Sequence, residues 1–158
     1  MTNREIISKV IDREGGERLV KDKDDPGGTT KYGISQRAHP DEDIENLTED
    51  EAIRIYLTDY WVPSKASSLP SYLQDIYFDM VVNMGQYKSV KVLQQACNHR
   101  GSNLVVDGRI GPNTLRESQG LEKDRLKAFR IMYYVKICLA NKKLMKYYYG
   151  WVRRVFEI

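Results

Sequence analysis

Residues 70–85 read PSYLQDIYFDMVVNMG and carry the most regular apolar pattern of the chain. Apolar side chains recur there every three or four residues, at Leu73, Ile76, Tyr77, Met80 and Met84. This spacing places them on one face of an α-helix. Pro70 suits the first turn of such a helix, because a proline there gives up no helical hydrogen bond. The stretch therefore predicts the central core helix of a mainly α-helical fold.

Helices are predicted on both sides of this stretch. Two capping boxes precede it, Thr2 with Glu5 and Thr48 with Glu51, in which each pair satisfies exposed backbone N–H groups. The first helix is expected to end at Gly15-Gly16 and the second near Trp61 and Pro63. Later apolar residues again have helical spacing: Val90, Leu93 and Cys97, then Leu126, Phe129, Tyr133, Ile137 and Ala140. Another helix is expected to start at Pro112.

Residues 17–34 have no helical period and contain the turn signal Asp25-Pro26-Gly27-Gly28. The stretches 18–21 and 29–34 on either side of it are predicted to pair as a β-hairpin. The expected fold is thus mainly α, with a small N-terminal β-hairpin. No linker rich in Pro, Gly or Ser divides the 158 residues, so a single domain is expected over residues 1–158.

Composition excludes several classes of protein. The chain is 41% hydrophobic and 30% charged, as expected of a globular protein and not of a disordered one. No run of about 18 apolar residues predicts a membrane span, and charges interrupt the N-terminus where a signal peptide would be apolar. A cytoplasmic location without stable membrane insertion is therefore expected. Cys97 and Cys138 are expected to be buried free thiols, with a disulfide as the alternative.

The charge is unevenly distributed along the chain. Residues 1–79 hold 10 Lys and Arg against 17 Asp and Glu, whereas residues 80–158 hold 15 against 5. A basic second half suggests a polyanionic partner, either nucleic acid or an anionic cell envelope, or else a solvated Lys-rich surface. The basic, tyrosine-rich tail of residues 142–154 keeps nucleic acid open as an alternative. No recognition helix is evident, and the acidic first half would repel DNA, so no nucleic-acid partner is expected.

Histidine and cysteine chemistry is not expected. The chain has two histidines, His39 and His99, and the pair Cys97 and His99 is two residues apart, so its side chains point in different directions on a helix. Neither a metal site nor an organic cofactor is predicted. Catalysis would have to come from carboxylates.

Glu14 is the leading carboxylate because it ends the first predicted helix, just before Gly15-Gly16 and opposite an acidic turn. A glycosidase needs one protonated carboxylic acid and a second polar group that places water or stabilises positive charge. A Glu at a helix end beside a hairpin can have an apolar wall and an open cleft. From spacing alone, a surface residue followed by a helix stop is the favoured interpretation of Glu14.

Several motifs together resemble glycoside hydrolase family 108, phage and prophage N-acetylmuramidases with a lysozyme-like helical fold. The resemblance covers nearly the whole chain and rests on Glu14-Gly15-Gly16, Asp25-Pro26-Gly27-Gly28-Thr29-Thr30-Lys31-Tyr32-Gly33-Ile34, Tyr60-Trp61, residues 78–85 (FDMVVNMG), Leu93-Gln94-Gln95 and residues 107–114 (DGRIGPNT). It implies hydrolysis of the β-1,4 bond between N-acetylmuramic acid and N-acetylglucosamine, with Glu14 as general acid.

The second catalytic group is less well specified by the resemblance. The wider phage-lysozyme pattern places an Asp where this chain has Lys23, so it does not transfer directly. The Asp-Pro-Gly-Gly match favours Asp25 as the catalytic partner, with Asp24 as the alternative, and Asp25 would otherwise cap its own turn. Thr30 is the candidate for a water-positioning hydroxyl.

Three further residues are predicted to bind the sugar: Tyr32, Asn83 and Gln86. Aromatic faces stack on sugar rings, and amides match N-acetyl and hydroxyl groups. Tyr32 could instead belong to the core of the hairpin, and Asn83 could cap the core helix beside Gly85.

The resemblance also implies an organisation and a biological role. Residues 1–85 would be the catalytic portion, with the hairpin forming one wall of the cleft, and residues 86–158 a basic peptidoglycan-binding portion. The protein would be a monomeric bacteriophage endolysin with antimicrobial action, accumulating in the host cytoplasm until a holin-type pore releases it for host cell lysis. The main alternative is a wall-binding module without catalysis, which would not need Glu14.

Overall fold

The computed structural model describes residues 1–21 and 28–158, which divide into two compact units, an N-terminal unit of residues 1–63 and a C-terminal unit of residues 64–158. The chain is mainly α-helical with one small sheet, as predicted. The helices are α1 Asn3–Arg13, α2 Glu49–Tyr56, α3 Ser71–Met84, α4 Gln86–Arg100, α5 Pro112–Glu117, α6 Lys123–Ala140 and α7 Met145–Phe156. The strands are β1 Val20–Lys21, β2 Thr29–Lys31 and β3 Ile34–Ser35.

Helix α1 begins and ends where the sequence indicates. The Thr2 side chain accepts from the backbone N–H of Glu5, and the Glu5 carboxylate accepts from the N–H of Thr2, so the capping box is confirmed. Four apolar side chains, Ile6, Ile7, Val10 and Ile11, are buried on one face. The helix ends as Gly15 and Gly16 take left-handed backbone angles, with φ of +114° and +56°.

Helix α2 starts at the second predicted capping box, formed by Thr48 and Glu51. The helical path runs beyond Trp61, since Leu57–Trp61 form a π-helical turn and Val62–Ser64 a further α-helical turn. A π-helical turn adds a residue to the turn without breaking the helix. Helical structure thus extends slightly further than Pro63, which the sequence indicated as its end.

The hairpin is confirmed, and the sheet has one more strand than predicted. Strand β1 pairs with β2 in antiparallel register, with Val20 opposite Thr30. The prediction was wrong to place Ile34 in the same strand as Thr29, because the chain reverses at Tyr32 and Gly33. Both residues have positive φ, 53° and 74°, as in a two-residue type I′ turn. Ile34 therefore starts β3, opposite Lys31.

The core helix of the C-terminal unit is α3, as the apolar spacing predicts. Leu73, Ile76, Tyr77 and Met80 are buried. Helix α4 packs against it and ends at Gly101, whose φ is +118°. Cys97 and Cys138 are buried free thiols, as expected, and burial raises the pKa of Cys97 to about 11. None of the helices in the described parts of the chain is long and apolar enough to cross a membrane.

The buried face of α6 differs from the predicted one. Leu126 is buried as expected, but Ala140 is exposed and Phe129, Tyr133 and Ile137 are only partly buried. The residues that are buried along α6 recur every four positions: Leu126, Arg130, Tyr134 and Cys138. Arg130 occupies one of these buried positions. A search for apolar residues alone therefore predicts a neighbouring face of α6 as the buried one.

Arg130 can be buried because Asp79 of α3 neutralises it. Its Nη2 lies 2.7 Å from Asp79 Oδ2, and both side chains are inaccessible to solvent. The two atoms attract as charges without the alignment of a hydrogen bond. Arg154 of α7 donates to the same carboxylate from Nε and Nη2, at 3.0 and 2.9 Å. One carboxylate thus connects three helices of the C-terminal unit.

The pKa of the Asp79 carboxyl lies below its usual value. Burial acts to raise this pKa, but the charges and hydrogen bonds of Arg130 and Arg154 outweigh burial and lower it. Because the folded pKa is below the unfolded one, the carboxylate stabilises the fold at neutral pH. This contribution is lost as the pH falls through the folded pKa.

We expect Asp79→Asn to lower the free energy of unfolding by about 3–5 kcal/mol at neutral pH, because two guanidinium groups lose their counter-charge. The matched control is Glu157→Gln, which removes a carboxylate from the exposed pair with Arg153 and should cost about 0.5 kcal/mol or less. Urea unfolding of both variants measures the difference, which should shrink below pH 4. Equal losses in the two variants would contradict the assigned role of Asp79.

Candidate active site

Glu14 occupies the C-terminal cap of α1 and is half-buried. The two glycines that follow turn the chain, and the Gly16 carbonyl accepts a 2.9 Å hydrogen bond from the backbone N–H of Tyr32. The end of α1 is therefore bonded directly to the turn between β2 and β3. This bond fixes the backbone that carries Glu14.

Gly33 brings the sheet into close contact with Glu14. A Cβ atom at Gly33 would lie 2.7 Å from the Glu14 Cβ and 2.6 Å from the Tyr56 hydroxyl oxygen. Real Cβ atoms do not approach other heavy atoms so closely, and φ of +74° also favours glycine. The Tyr56 hydroxyl donates to the Tyr32 carbonyl at 3.0 Å. The Glu14 side chain is thus held against a turn that accepts no larger residue than glycine.

Aromatic rings surround this position. The rings of Tyr56 and Tyr60 have their centroids 5.3 Å apart. Burial raises the pKa of Tyr60, and the negative charges of Asp59 and Glu14 raise it further. The Tyr60 phenol is therefore close enough to the Glu14 carboxylate to respond to its charge. Glu14 therefore lies beside two tyrosines of the N-terminal unit.

The N-terminal unit also holds other predicted site residues. Thr30 lies in the middle of β2, half-buried, with Val20 and Ser35 opposite it on the two neighbouring strands. The ring of Tyr32 is only 7% exposed, as the core alternative for this residue anticipated, and offers a sugar little surface. Asp25 and its alternative Asp24 lie outside the described residues.

Asn83 and Gln86 belong to the C-terminal unit, at the end of α3 and the start of α4. The Oδ1 atom of Asn83 accepts a 2.8 Å hydrogen bond from the Tyr134 hydroxyl, which in turn accepts from Arg130 Nε at 2.9 Å. This chain of bonds orients the Asn83 amide. Within the described residues its amino group has no protein acceptor, so its two N–H donors can bind a ligand. Gln86 is half-buried.

Sequence reasoning missed Tyr56, Arg130 and Tyr134 as supporting residues. Arg130 and Tyr134 are four positions apart, so they lie on the same face of α6, and this spacing was a usable signal. The contact of Tyr56 with the β2–β3 turn had no local signal, because it joins residues distant in sequence. Within residues 1–21 and 28–158, no three His, Cys, Asp or Glu side chains are grouped as metal ligands.

Gln94 of α4 binds the loop of residues 107–114 at several points, and Lys65 Nζ also donates to the Ile110 carbonyl at 3.3 Å. Gln94 Nε2 donates to Asp107 Oδ1 at 2.9 Å, and it lies 3.2 Å from both the Arg109 carbonyl and Thr114 Oγ1. Gln94 Oε1 accepts from the Gly108 N–H at 3.0 Å. Helix α5 starts at Pro112, directly after this loop, as predicted. The loop thus has a defined shape that depends largely on one buried glutamine of α4.

A half-buried glutamate fixed between a glycine turn and tyrosine rings is the kind of site from which glycosidases donate a proton. Comparison with known families agrees with this class. Residues 7–85 match the model of glycosyl hydrolase 108, and residues 88–156 match that of a predicted peptidoglycan domain. The first match covers half of the chain, so the chain belongs to glycosyl hydrolase family 108. The resemblance seen in the sequence motifs is confirmed.

One solved structure extends the comparison to the fold. The chain is similar to a protein described as "Structure of Brucella abortus SagA", with 24% sequence identity and a TM-score of 0.74. The alignment covers 98% of this chain and 90% of that one. No curated protein matches the chain significantly. Family membership and the peptidoglycan domain together identify a glycoside hydrolase that acts on peptidoglycan.

We expect Gly33→Ala to lower hydrolysis of peptidoglycan by about 100-fold, because the added methyl group displaces Glu14, and misplacement by about 1 Å can cost that much. Overpacking should also lower the free energy of unfolding by about 1–3 kcal/mol. Reducing-sugar release and thermal unfolding measure the two effects.

Gly28→Ala is the matched control for this prediction. Gly28 has nearly the same backbone angle, φ of +69°, but a Cβ there would meet only Gln36 Cβ at 4.0 Å. It should therefore share the backbone strain and keep most of the activity. Similar activity losses in both variants would mean that strain alone, and not contact with Glu14, explains the effect.

Proposed function

We propose that the protein is an N-acetylmuramidase that cleaves the β-1,4 bond between N-acetylmuramic acid and N-acetylglucosamine, with Glu14 as general acid. The observation that carries the proposal is the packing of Glu14 against Gly33, beside the rings of Tyr56 and Tyr60. Glu14 lies in the portion of the chain that matches the model of glycosyl hydrolase 108. A general acid of a glycosidase donates its proton to the leaving oxygen of the glycosidic bond, and a glutamate can supply that proton.

In the proposed reaction, protonated Glu14 gives its proton to the glycosidic oxygen as the bond from that oxygen to the sugar carbon breaks. Positive charge develops on the ring, and a water molecule adds its oxygen to the same carbon. Asp25, with Asp24 as the alternative, takes the proton from this water or stabilises the positive charge. In the second case the deprotonated Glu14 takes the water proton and regains its acid form. The Thr30 hydroxyl, carried on the central strand of the sheet, would position the water. No cofactor takes part in these steps.

Sugar recognition is proposed for Asn83, Gln86 and Tyr32. The amino group of Asn83, oriented by Tyr134, can donate to the carbonyl oxygen of an N-acetyl group. Gln86 would add a second amide. Tyr32 would contribute the small part of its surface that is exposed, while its backbone N–H and carbonyl hold the turn beside Glu14.

The biological role proposed with this activity is lysis of a bacterial host by a bacteriophage. The protein would act as a monomer on the wall after release from the host cytoplasm through a separate holin-type pore. The muramidases that the sequence motifs resemble come from phages and prophages, which supports this role. A wall-binding protein without catalysis is the alternative, and the experiment below separates the two.

We expect Glu14→Gln to lower reducing-sugar release from purified peptidoglycan by about 100-fold or more, because the amide keeps the shape but cannot donate the proton. Glu17→Gln, three residues away at an exposed position, is the matched control and should stay active. Circular dichroism confirms that both variants fold. An active Glu14→Gln would show that another carboxylate is the acid, and an inactive wild type would favour the wall-binding alternative.

We expect Tyr134→Phe to raise KM about tenfold with a smaller change in kcat, because the Asn83 amide loses the bond that orients it. The phenyl ring keeps the stack on Trp151, where the ring centroids are 5.1 Å apart. Tyr147→Phe, whose ring also stacks on Trp151 with centroids 5.7 Å apart, controls for loss of a neighbouring hydroxyl. Steady-state kinetics on soluble glycan strands measure both constants.

A double-mutant cycle separates positioning from a merely structural role. If Tyr134 acts through Asn83, then Tyr134→Phe should leave KM unchanged in an Asn83→Ala background while still lowering the melting temperature. Additive effects on KM would show that Tyr134 does not act through Asn83.

A further inference from the structure

A pocket of about 230 Å³ lies between α4 and α6 of the C-terminal unit. It contains none of the residues predicted for the candidate active site. Its walls are formed mainly by Tyr87, Lys88, Lys91, Gln95, Tyr133 and Lys136. Helical spacing explains the grouping, because Tyr87, Lys91 and Gln95 follow one another every four residues on α4. Tyr133 and Lys136 are three residues apart on the facing side of α6.

Three amino groups face this pocket without a counter-charge. No carboxylate belongs to its lining, and within the described part of the chain Lys88, Lys91 and Lys136 form no ion pair. Lys123 near the start of α6 shows the contrast, since its Nζ lies 2.7 Å from Asp75 Oδ2. Gathering like charges raises the free energy of the empty pocket. An anionic ligand would relieve this repulsion.

The aromatic side chains add a second requirement for the ligand. Tyr87 is 58% exposed, although a large ring is usually more buried than this. The Lys91 Nζ lies 5.2 Å from the centroid of the Tyr87 ring, so a positive charge and an aromatic surface are presented together. Aromatic surfaces suit the C–H faces of sugars. The combination fits a saccharide that carries carboxylates.

The loop of residues 107–114 holds Tyr87 in place. A Cβ at Gly108 would lie 2.4 Å from Tyr87 Cδ2 and 2.9 Å from its carbonyl oxygen, and φ at Gly108 is +74°. Gly108 is itself fixed by the hydrogen bond to Gln94. The loop therefore fixes one wall of the pocket, which gives this motif a function beyond starting α5.

We propose that this pocket binds the N-acetylmuramyl peptide of peptidoglycan, with the tyrosine rings against the sugar and the lysines paired with the carboxylates of the lactyl-linked peptide. The inference rests on peptidoglycan as the substrate, but it does not require Glu14 to be the acid. It assigns to the predicted peptidoglycan domain a defined subsite for the acidic substituents of the wall.

The test uses the full chain carrying Glu14→Gln and a purified N-acetylglucosaminyl-N-acetylmuramyl tetrapeptide. Amide chemical shifts of α4 and α6 are followed during titration. The pocket variant is Lys88→Gln/Lys91→Gln/Lys136→Gln, and the matched control is Lys142→Gln/Lys143→Gln/Lys146→Gln, which removes the same charge from the exposed residues before and at the start of α7. We expect about a tenfold or greater loss of affinity in the pocket variant and less than about twofold in the control.

Two comparison ligands test the assigned chemistry. N,N′-diacetylchitobiose has the sugars without the carboxylates, and inorganic polyphosphate has the charge without the sugars. Both should bind at least about tenfold more weakly than the muropeptide and should perturb α4 and α6 less. Tyr87→Ala and Gly108→Ala should each weaken muropeptide binding, the second by displacing the Tyr87 ring.

Several results would overturn the proposal: equal losses in the two triple variants, equal binding of diacetylchitobiose, or tighter binding of polyphosphate. Failure of the muramidase proposal is recognised separately, from reducing-sugar release by the chain with and without Glu14→Gln. A Glu14→Gln variant that still cleaves the wall would contradict the role of Glu14 as general acid. It would not affect the proposal that the pocket binds the muropeptide.

Discussion

The Asp79 carboxylate is the constraint on which the C-terminal unit depends. It lies on the core helix α3 and is the counter-charge of Arg130 on α6 and Arg154 on α7. A buried guanidinium without such a partner would cost several kcal/mol, so the three helices can pack in few other ways. The same Arg130 donates to Tyr134, and Tyr134 orients Asn83. A requirement of folding thereby sets the direction of one amide at the surface.

The N-terminal unit restricts the position of Glu14 by exclusion of volume. Gly33 leaves no room for a side chain between Glu14 and the Tyr56 hydroxyl. Two further glycines follow α1, and the Gly16 carbonyl accepts a hydrogen bond from the backbone N–H of Tyr32 in the turn. The Glu-Gly-Gly and Tyr-Gly parts of the family motif are therefore two sides of one contact. The two parts of the motif occur together for a steric reason, because Gly33 must leave room for the side chain of Glu14.

Local signals predicted what local forces determine. The capping boxes, the 3–4 spacing of α3 and the first hairpin all depend on neighbours a few residues apart, and all three were found. Two errors arose where the sequence pattern gives no sign of the deciding feature, which was a distant charge in one case and a backbone angle in the other. Arg130 is buried only because Asp79 is present, so an apolar search chose the wrong face of α6. Ile34 starts a new strand because Tyr32 has a positive φ, which is not expected for a tyrosine.

The basic second half of the sequence has at least two physical uses that net charge cannot separate. Arg130 and Arg154 share the buried carboxylate of Asp79, so part of the positive charge of this half is used inside the fold. Lys88, Lys91 and Lys136 keep their charge and share a pocket. An acidic first half would repel an acidic wall, and nonspecific attraction by scattered lysines is screened over about 10 Å at 0.1 M salt. A pocket that pairs with carboxylates at contact distance is screened much less. It would hold a hydrolase on its polymer where scattered charge alone would not.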